Sequence, residues 1–110
     1  MTKKKSNPQN QPLQPLKRFP IFDEVFQENL GWWYKTDKSK VKKIFDLVTD
    51  TMAHPFEGLG KPEPLKYLAP DIWSRRIDLE HRLLYRVQDE RIDFLSCRYH
   101  YVSSTGSVKD

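Results

Sequence analysis

The hydrophobic period of the sequence changes across one proline- and glycine-rich segment, and this change limits the folds open to the chain. The segment covers residues 55–64 and holds three prolines and two glycines, a composition that disfavours regular helix and strand. Before it, apolar residues recur with the helical period; after it, they alternate as in strands. The sequence therefore predicts an α+β fold, with an N-terminal helical hairpin packed on one face of a small antiparallel sheet.

Two amphipathic helices are predicted ahead of this segment. The first begins near Asp23, and the second runs from about Lys38 to Met52 with Thr36-Asp37 supplying its cap. A short apolar run at residues 19–22 precedes both, and its proline allows only an edge strand or a lead-in. The second helix has an apolar stripe at helical spacing, made of Val41, Ile44, Leu47, Val48, Thr51 and Met52.

Four strands are predicted after the segment, with Asp89-Glu90 as the hairpin turn between the last two. They cover Leu65–Leu68, Trp73–Leu79, Arg82–Gln88 and Arg91–Tyr101.

Successive strand residues point to opposite faces of a sheet, so each strand has an inner and an outer set. Leu83, Tyr85 and Val87 are expected beneath the helices, together with Leu95, Cys97 and Tyr99; Phe94 and Ser96 then face outward. Arg75 shares the parity of the inner set and is expected to extend along the sheet edge to water. The predicted outer set carries Arg76, Arg82, Arg98 and His100 on one exposed surface.

Charge and cysteine content exclude several classes of protein. The net charge is +4, but residues 1–18 contain five cations and no acid, so the rest of the chain is slightly acidic. Those residues are almost free of apolar side chains and are predicted to be a disordered basic tail, either a solubilising arm or an RNA-binding arm. The single cysteine excludes an internal disulfide and a cysteine-cluster metal site. No apolar run is long enough to span a membrane and no signal peptide is recognised, so a cytoplasmic location is expected.

The predicted outer surface has the groups that phosphodiester cleavage requires. RNA cleavage by its own 2′-hydroxyl needs a base, a cation to stabilise the phosphorane and an acid for the leaving oxygen. Glu63 can serve as the base, Arg82 as the cation and His100 as the acid, while Tyr101 can stack on a base or donate to phosphate. Neither a metal nor a protein nucleophile is required.

The same residues also fit a plainer interpretation. The arginines at 75, 76 and 82 can pair with Asp78, Glu80 and Glu90 on a solvated sheet face. His100 can be a hydrogen-bonded structural histidine, and His81 is expected to be one. Pattern alone therefore leaves a ribonuclease beside a protein-interaction module.

Several short motifs occur in consecutive order between residues 20 and 101. They are Thr36-Asp37, Val41-Lys42-Lys43-Ile44, Pro55-Phe56-Glu57-Gly58, Gly60-Lys61-Pro62-Glu63-Pro64-Leu65-Lys66, Trp73-Ser74-Arg75-Arg76-Ile77, Glu80-His81-Arg82-Leu83 and Cys97-Arg98-Tyr99-His100-Tyr101. Together they resemble the YoeB (Txe) toxins of the RelE superfamily.

The resemblance implies a RelE-like, microbial-RNase-like domain over residues 19–101. Family chains usually stop at the terminal tyrosine, and residues 102–110 beyond it are predicted to be a flexible C-terminal tail. It implies a metal-independent, cofactor-free endoribonuclease that cuts mRNA in the ribosomal A site. It also implies a cognate YefM/Phd-type antitoxin and, by analogy, homodimerisation. The family's site roles fall on a general base at Glu63, a phosphate-stabilising Arg82, a general acid at His100, a substrate-holding Tyr101, RNA contacts at Lys66 and Arg76, and electrostatic support from Arg98.

Two other functions stay open beside this one. The chain can be a non-catalytic or decayed toxin that only binds the antitoxin and operator complex, or a ribonuclease that acts without ribosomes. Tyr67 stands where relatives often carry histidine, which would alter the fit of the substrate.

Overall fold

The computed structural model describes residues 17–98 of the chain. In this part, helices and strands follow in the order β1 (Phe19–Phe22), α1 (Glu24–Thr36), α2 (Lys38–Ala53), β2 (Glu63–Pro64), β3 (Ile72–Arg76), β4 (Arg82–Val87) and β5 (Arg91–Ser96). The strands form one sheet in the order β1-β5-β4-β3-β2. The α+β class and the helical hairpin are confirmed.

The sheet is mixed, and in this it differs from the predicted antiparallel one. β2, β3, β4 and β5 pair antiparallel, but β1 runs parallel to β5. The difference arises because β5, the last strand, pairs with β1, the first one, although all the other helices and strands lie between them in sequence. β1 is an edge strand, as predicted from Pro20, because proline has no N–H for a second neighbour.

The turn between the two helices lies at Asp37, within the Thr36-Asp37 cap that the sequence indicated. The N–H of Asp37 donates to the Trp33 carbonyl at 2.7 Å and ends α1. The carboxylate of Asp37 then accepts from the Ser39 N–H at 3.1 Å and the Ser39 hydroxyl at 2.6 Å, which starts α2. The hydrogen bond from the Ser39 hydroxyl lowers the pKa of Asp37. Asp37 therefore caps the end of α1 and the start of α2, and the turn between the two antiparallel helices lies at this residue.

The core lies between the helices and the inner sheet face. Leu83, Tyr85 and Val87 of β4 are buried there, as predicted. The core cluster consists of Phe26, Trp33, Ile44, Leu47, Val48, Ile77, Leu83, Tyr85, Val87, Ile92, Phe94 and Cys97.

No helix in the described part of the chain is long and apolar enough to cross a membrane.

Three predicted strands have the wrong limits. The predicted strand Arg91–Tyr101 ends at Ser96. Leu65–Leu68 is a turn, and the strand of this region is Glu63–Pro64, at one edge of the sheet and inside the segment predicted to be irregular. The predicted strand Trp73–Leu79 ends at Arg76, and Leu79 is 93% exposed in the connection that follows. The errors at Leu65–Leu68 and at Leu79 have the same cause, because an apolar residue in a tight turn cannot be told from strand alternation by pattern.

A bulge in β5 changes the predicted inner and outer sets. Tyr85 lies opposite Phe94 while its neighbour Leu84 lies opposite Ser96, so Leu95 is an extra residue in β5. Phe94 is consequently fully buried, whereas it was predicted to face outward. After the bulge the predicted parity returns, and Cys97 is buried as expected.

Cys97 is expected to be unreactive in the folded protein. Its side chain is fully buried, and burial raises the pKa of the thiol to about 12, so almost no thiolate exists at pH 8. A thiol reagent should modify the native protein at least about 100-fold more slowly than the urea-unfolded chain. Equal rates in the two states would contradict the placement of Cys97 in the core.

Candidate active site on the outer sheet face

The outer sheet face brings Glu63 and two of the predicted arginines together. Glu63 of β2 lies opposite Ser74 of β3, and Arg76 of β3 lies directly opposite Arg82 of β4. Neighbouring strands are about 4.8 Å apart and each residue advances about 3.4 Å, which puts the Cα atoms of Glu63 and Arg82 about 12 Å apart. Both side chains are long enough to reach a phosphodiester between them.

Arg82 is held by backbone carbonyls and has no acidic partner in residues 17–98. Its Nη1 donates to the carbonyls of Asp78 at 2.8 Å, His81 at 3.1 Å and Leu79 at 3.3 Å. Its side chain is half-buried. The positive charge of Arg82 is therefore fixed in place but not neutralised by a carboxylate of the described chain.

Asp78, whose backbone carbonyl holds Arg82, has a carboxylate that pairs elsewhere. Its carboxylate lies 3.1 Å from the Lys40 ammonium and 3.2 Å from Nδ1 of His81. Partial burial opposes ionisation of Asp78, but the His81 N–H, the Lys40 ammonium and the Glu80 N–H outweigh it and lower its pKa. His81 is buried with its ring 4.7 Å from that of Trp33, a position that fits the structural role predicted for it.

Arg76 and Lys66 are exposed, and in the described part of the chain neither side chain has a hydrogen-bonded or ion-paired partner. The plainer interpretation required Arg76 and Arg82 to pair with Asp78, Glu80 or Glu90, and none of these pairs is present within residues 17–98. Two like charges directly opposite each other on neighbouring strands destabilise a sheet. The Arg76–Arg82 pair is thus a place where an anion would be stabilised.

Arg98 is drawn toward the helices. Its guanidinium carbon lies 3.7 Å from the ring centroid of Trp32 on α1, a close cation–π contact. Arg98 is half-buried, so its charge is tied to the rim between α1 and β5. Of the predicted site residues within 17–98, the structure brings Glu63, Arg76 and Arg82 together on the outer face. Lys66 lies in the turn after β2, and Arg98 lies apart from them against α1.

The remaining predicted site residues, His100 and Tyr101, lie outside the described residues, as does Tyr99. Within residues 17–98 no group of three or more histidine, cysteine, aspartate or glutamate side chains is placed to hold a metal ion.

Arg75 has a role that the sequence interpretation missed. It was expected to extend along the sheet edge, but it is fully buried. Nε donates to the Tyr85 hydroxyl at 3.1 Å and Nη1 to the Asp50 carboxylate at 2.6 Å. The other hydrogen bonds run from Nη1 to the Leu59 carbonyl at 3.1 Å and from Nη2 to the carbonyls of His54 at 2.5 Å and Glu57 at 2.8 Å. Five donors thus have five acceptors, which offsets the cost of burying the charge.

This network orders the segment that leads to Glu63. Asp50 also accepts from the Leu59 N–H at 2.9 Å, and this bond, followed by the one from Arg75, lowers the pKa of Asp50. Gly58 has a φ of 116° and a Cβ there would lie 2.1 Å from Asp50 Oδ2, so only glycine fits. The sequence did indicate that Arg75 lies on the inner face, because it alternates with the inner residues of its strand. Its acceptors could not be predicted, because most of them are backbone carbonyls, which are the same for every residue type.

Known proteins are similar to this chain in sequence and in fold. The chain is 51% identical over 81 residues to the toxin YoeB of Escherichia coli strain K12, a match that covers 74% of this chain and 96% of that protein. It is 42% identical over 80 residues to the toxin YoeB of Mycobacterium bovis, with 73% and 94% covered.

Solved structures agree. The YoeB dimer from Staphylococcus aureus superposes with a TM-score of 0.71 at 40% identity and covers 77% of this chain and 99% of that one. The heterotetrameric YoeB–YefM toxin–antitoxin complex from the same organism gives 0.67 at 40% identity, with 76% and 98% covered. Residues 22–101 match the family described as the YoeB-like toxin of bacterial type II toxin–antitoxin systems. The chain therefore belongs to the YoeB family of type II toxins.

Proposed function

We propose that this toxin is a metal-independent endoribonuclease that cleaves mRNA in the ribosomal A site and thereby inhibits translation. The observation that carries the proposal is the Arg76–Arg82 cross-strand pair, two cations without a carboxylate partner in the described chain, on the same sheet face as Glu63. A dianionic phosphorane is the species that such an arrangement stabilises best.

The reaction needs no group beyond the RNA and the side chains. Glu63 takes the proton of the 2′-hydroxyl, the 2′-oxygen attacks phosphorus, and Arg82 stabilises the charge on the phosphorane oxygens. His100 gives a proton to the departing 5′-oxygen, and Tyr101 holds the substrate. The products are a 2′,3′-cyclic phosphate and a 5′-hydroxyl. Lys66 and Arg76 contact the RNA backbone, and Arg98 adds positive charge at the rim.

Cleavage is expected to require ribosomes. The full chain should cut a short mRNA within programmed ribosomes at a rate at least about 100-fold above that on the same RNA alone, because the ribosome orients the substrate. His100→Gln serves as the inactive control, and a chelator should leave the slow cleavage of the RNA alone, without ribosomes, unchanged. Equal rates with and without ribosomes would show a free ribonuclease. No cleavage by well-folded protein would favour the alternative, a non-catalytic toxin that only binds antitoxin and operator.

The partner is proposed to be a YefM/Phd-type antitoxin, as in the Staphylococcus aureus complex. Mixing the two proteins should abolish cleavage at a defined stoichiometry and give one species on size-exclusion chromatography. The free toxin is proposed to be a homodimer, like the Staphylococcus aureus protein, and its mass by light scattering tests this.

A further inference from the structure

We propose that Asp78 is a positioning residue for Arg82: it shapes the β3–β4 turn whose backbone carbonyls hold the Arg82 guanidinium, and Lys40 of α2 anchors Asp78. The inference rests on the proposed function, because it acts through the residue assigned to the phosphate. Asp78 itself touches neither the RNA nor the reacting atoms.

The carboxylate of Asp78 sets the conformation of the turn. Its Oδ1 accepts from the N–H of Glu80 at 2.8 Å and from the N–H of His81 at 2.6 Å. Aspartate bonded to the backbone two and three residues ahead is a common way to stabilise a turn. The turn is closed by the Ile77 N–H, which donates to the His81 carbonyl at 2.9 Å.

One peptide unit connects Asp78 directly to Arg82. The N–H of Glu80 and the C=O of Leu79 belong to the same planar, trans peptide, so they point in opposite directions. Because that N–H is turned toward the Asp78 carboxylate, the Leu79 carbonyl is turned the other way, where Arg82 Nη1 lies 3.3 Å from it. Removing the carboxylate frees this peptide to rotate and takes one acceptor away from Arg82.

The carbonyl contacts fix the orientation of the guanidinium. Nη1 carries two N–H groups, and the carbonyls of Asp78 and His81 at 2.8 and 3.1 Å occupy them, with Leu79 sharing. Since the guanidinium is planar, holding Nη1 on two sides holds the whole plane. The N–H groups of Nε and Nη2 have no hydrogen-bond acceptor within residues 17–98, which leaves an edge of the fork for two phosphate oxygens.

Two lysines of α2 hold the turn to the body of the protein. The Lys40 ammonium lies 3.1 Å from Asp78 Oδ2, and both side chains are about three-quarters buried. The Lys43 ammonium donates to the Ile77 carbonyl at 3.1 Å. The turn is thereby attached to a helix rather than left free at the end of a hairpin.

The first test separates cleavage from binding. In single-turnover assays on programmed ribosomes, Asp78→Ala and Lys40→Met should each slow cleavage about 10-fold or more, while the Kd for ribosomes changes less than about twofold. Asp78→Asn keeps the oxygen that accepts from the Glu80 and His81 N–H groups but loses the ion pair with Lys40, so it should recover only part of the rate. The matched control is Lys42→Met, which removes the same charge from the same helix but from an exposed pair with Asp46; its rate should stay at the wild-type value. Wild-type rates for both Asp78→Ala and Lys40→Met would overturn the proposal.

A double-mutant cycle distinguishes positioning of Arg82 from a general structural role. If Asp78 acts through Arg82, adding Asp78→Ala to Arg82→Ala should cause no further loss of rate. A loss equal to that in the wild-type background would refute the proposal.

A second readout does not depend on activity. In the NMR spectrum of ¹⁵N-labelled protein, the Arg82 side chain, assigned with Arg82→Lys, should give separate Nη signals because its rotation is restrained. Asp78→Ala should merge them, and Lys42→Met should not. If the wild-type protein fails to cleave RNA but shows these signals, the proposed function fails while the coupling of Asp78 to Arg82 stands. If the wild-type signals are already merged, the positioning role is refuted even where cleavage is normal.

Discussion

Arg82→Ala is expected to lower the single-turnover rate of mRNA cleavage on ribosomes by about 100- to 1,000-fold. This is the usual effect of removing one preorganised hydrogen-bond donor to an oxygen on which negative charge develops in the transition state. The guanidinium is held by three carbonyls and is not neutralised within the described chain, so its full charge is available to the phosphorane. Arg82→Lys keeps a charge but not the fork, and it should recover only part of the rate.

The matched control for Arg82 is Arg86→Ala. Arg86 lies on the same strand and, by alternation, on the same face, but it is 3.6 Å from the carboxylate of Asp71. Its loss should leave the cleavage rate within about twofold of wild type, a limit appropriate for a surface ion pair. Equal effects of the two substitutions would mean that the face acts only through its overall charge. A folded Arg82→Ala protein with full activity would remove Arg82 from the proposed mechanism.

Arg75→Met is expected to destabilise the fold by about 3–5 kcal/mol, as is usual when one member of a buried, hydrogen-bonded ion pair is removed. The substitution removes the Arg75 donors from the carbonyls of His54 and Glu57, and it leaves the Asp50 carboxylate with the Leu59 N–H but without its cationic partner. Since small domains are stable by only about 5–15 kcal/mol, this loss is a large share of the total. Urea unfolding at pH 7 measures it.

Arg76→Met is the control for this substitution, because Arg76 is the next residue and its side chain is exposed. Its effect on stability should be below about 0.5 kcal/mol. Arg75→Lys provides a second variant that keeps the charge but cannot serve five acceptors, and it should fall between the two. If Arg75→Met and Arg76→Met unfold at the same urea concentration, the network does not stabilise the fold as described.

The network also predicts how stability depends on pH. The Leu59 N–H and the Arg75 guanidinium hold the pKa of Asp50 below its usual range. A carboxyl group with a lowered folded-state pKa contributes fully above its unfolded pKa of about 3.9, and this contribution is lost as pH falls through the folded value. The wild-type free energy of unfolding should therefore decrease more steeply between pH 5 and 2 than that of Arg75→Met.

The helices and the outward position of Arg76 and Arg82 could be predicted from the sequence because both depend on local periodicity. Asp37 marked the helix turn, and strand alternation placed Leu83 and Tyr85 inside and Arg76 outside. The motifs that contain Glu63 and Arg82 were among those that carried the resemblance to the family. Each of these inferences needs only neighbouring residues.

The errors arise where distant parts of the chain decide the outcome. Phe94 was placed on the wrong face because one extra residue in β5 shifts the alternation, and nothing in the local pattern marks a bulge. Arg75 was predicted to reach solvent because burying a charge without partners is unfavourable. Its partners are mostly backbone carbonyls of a loop distant in sequence, which the pattern around Arg75 does not indicate. The Asp78 turn was missed because its effect on Arg82 passes through a backbone peptide.

The parallel pairing of β1 with β5 has a consequence for the synthesis of this toxin. The last strand lies between the first strand and the rest of the sheet, so the sheet cannot close until nearly all of the domain has been translated. Closing so long a loop is entropically unfavourable and gives the fold a high contact order, which slows folding. We therefore expect a nascent chain to complete its five-stranded sheet only after β5 has left the exit tunnel.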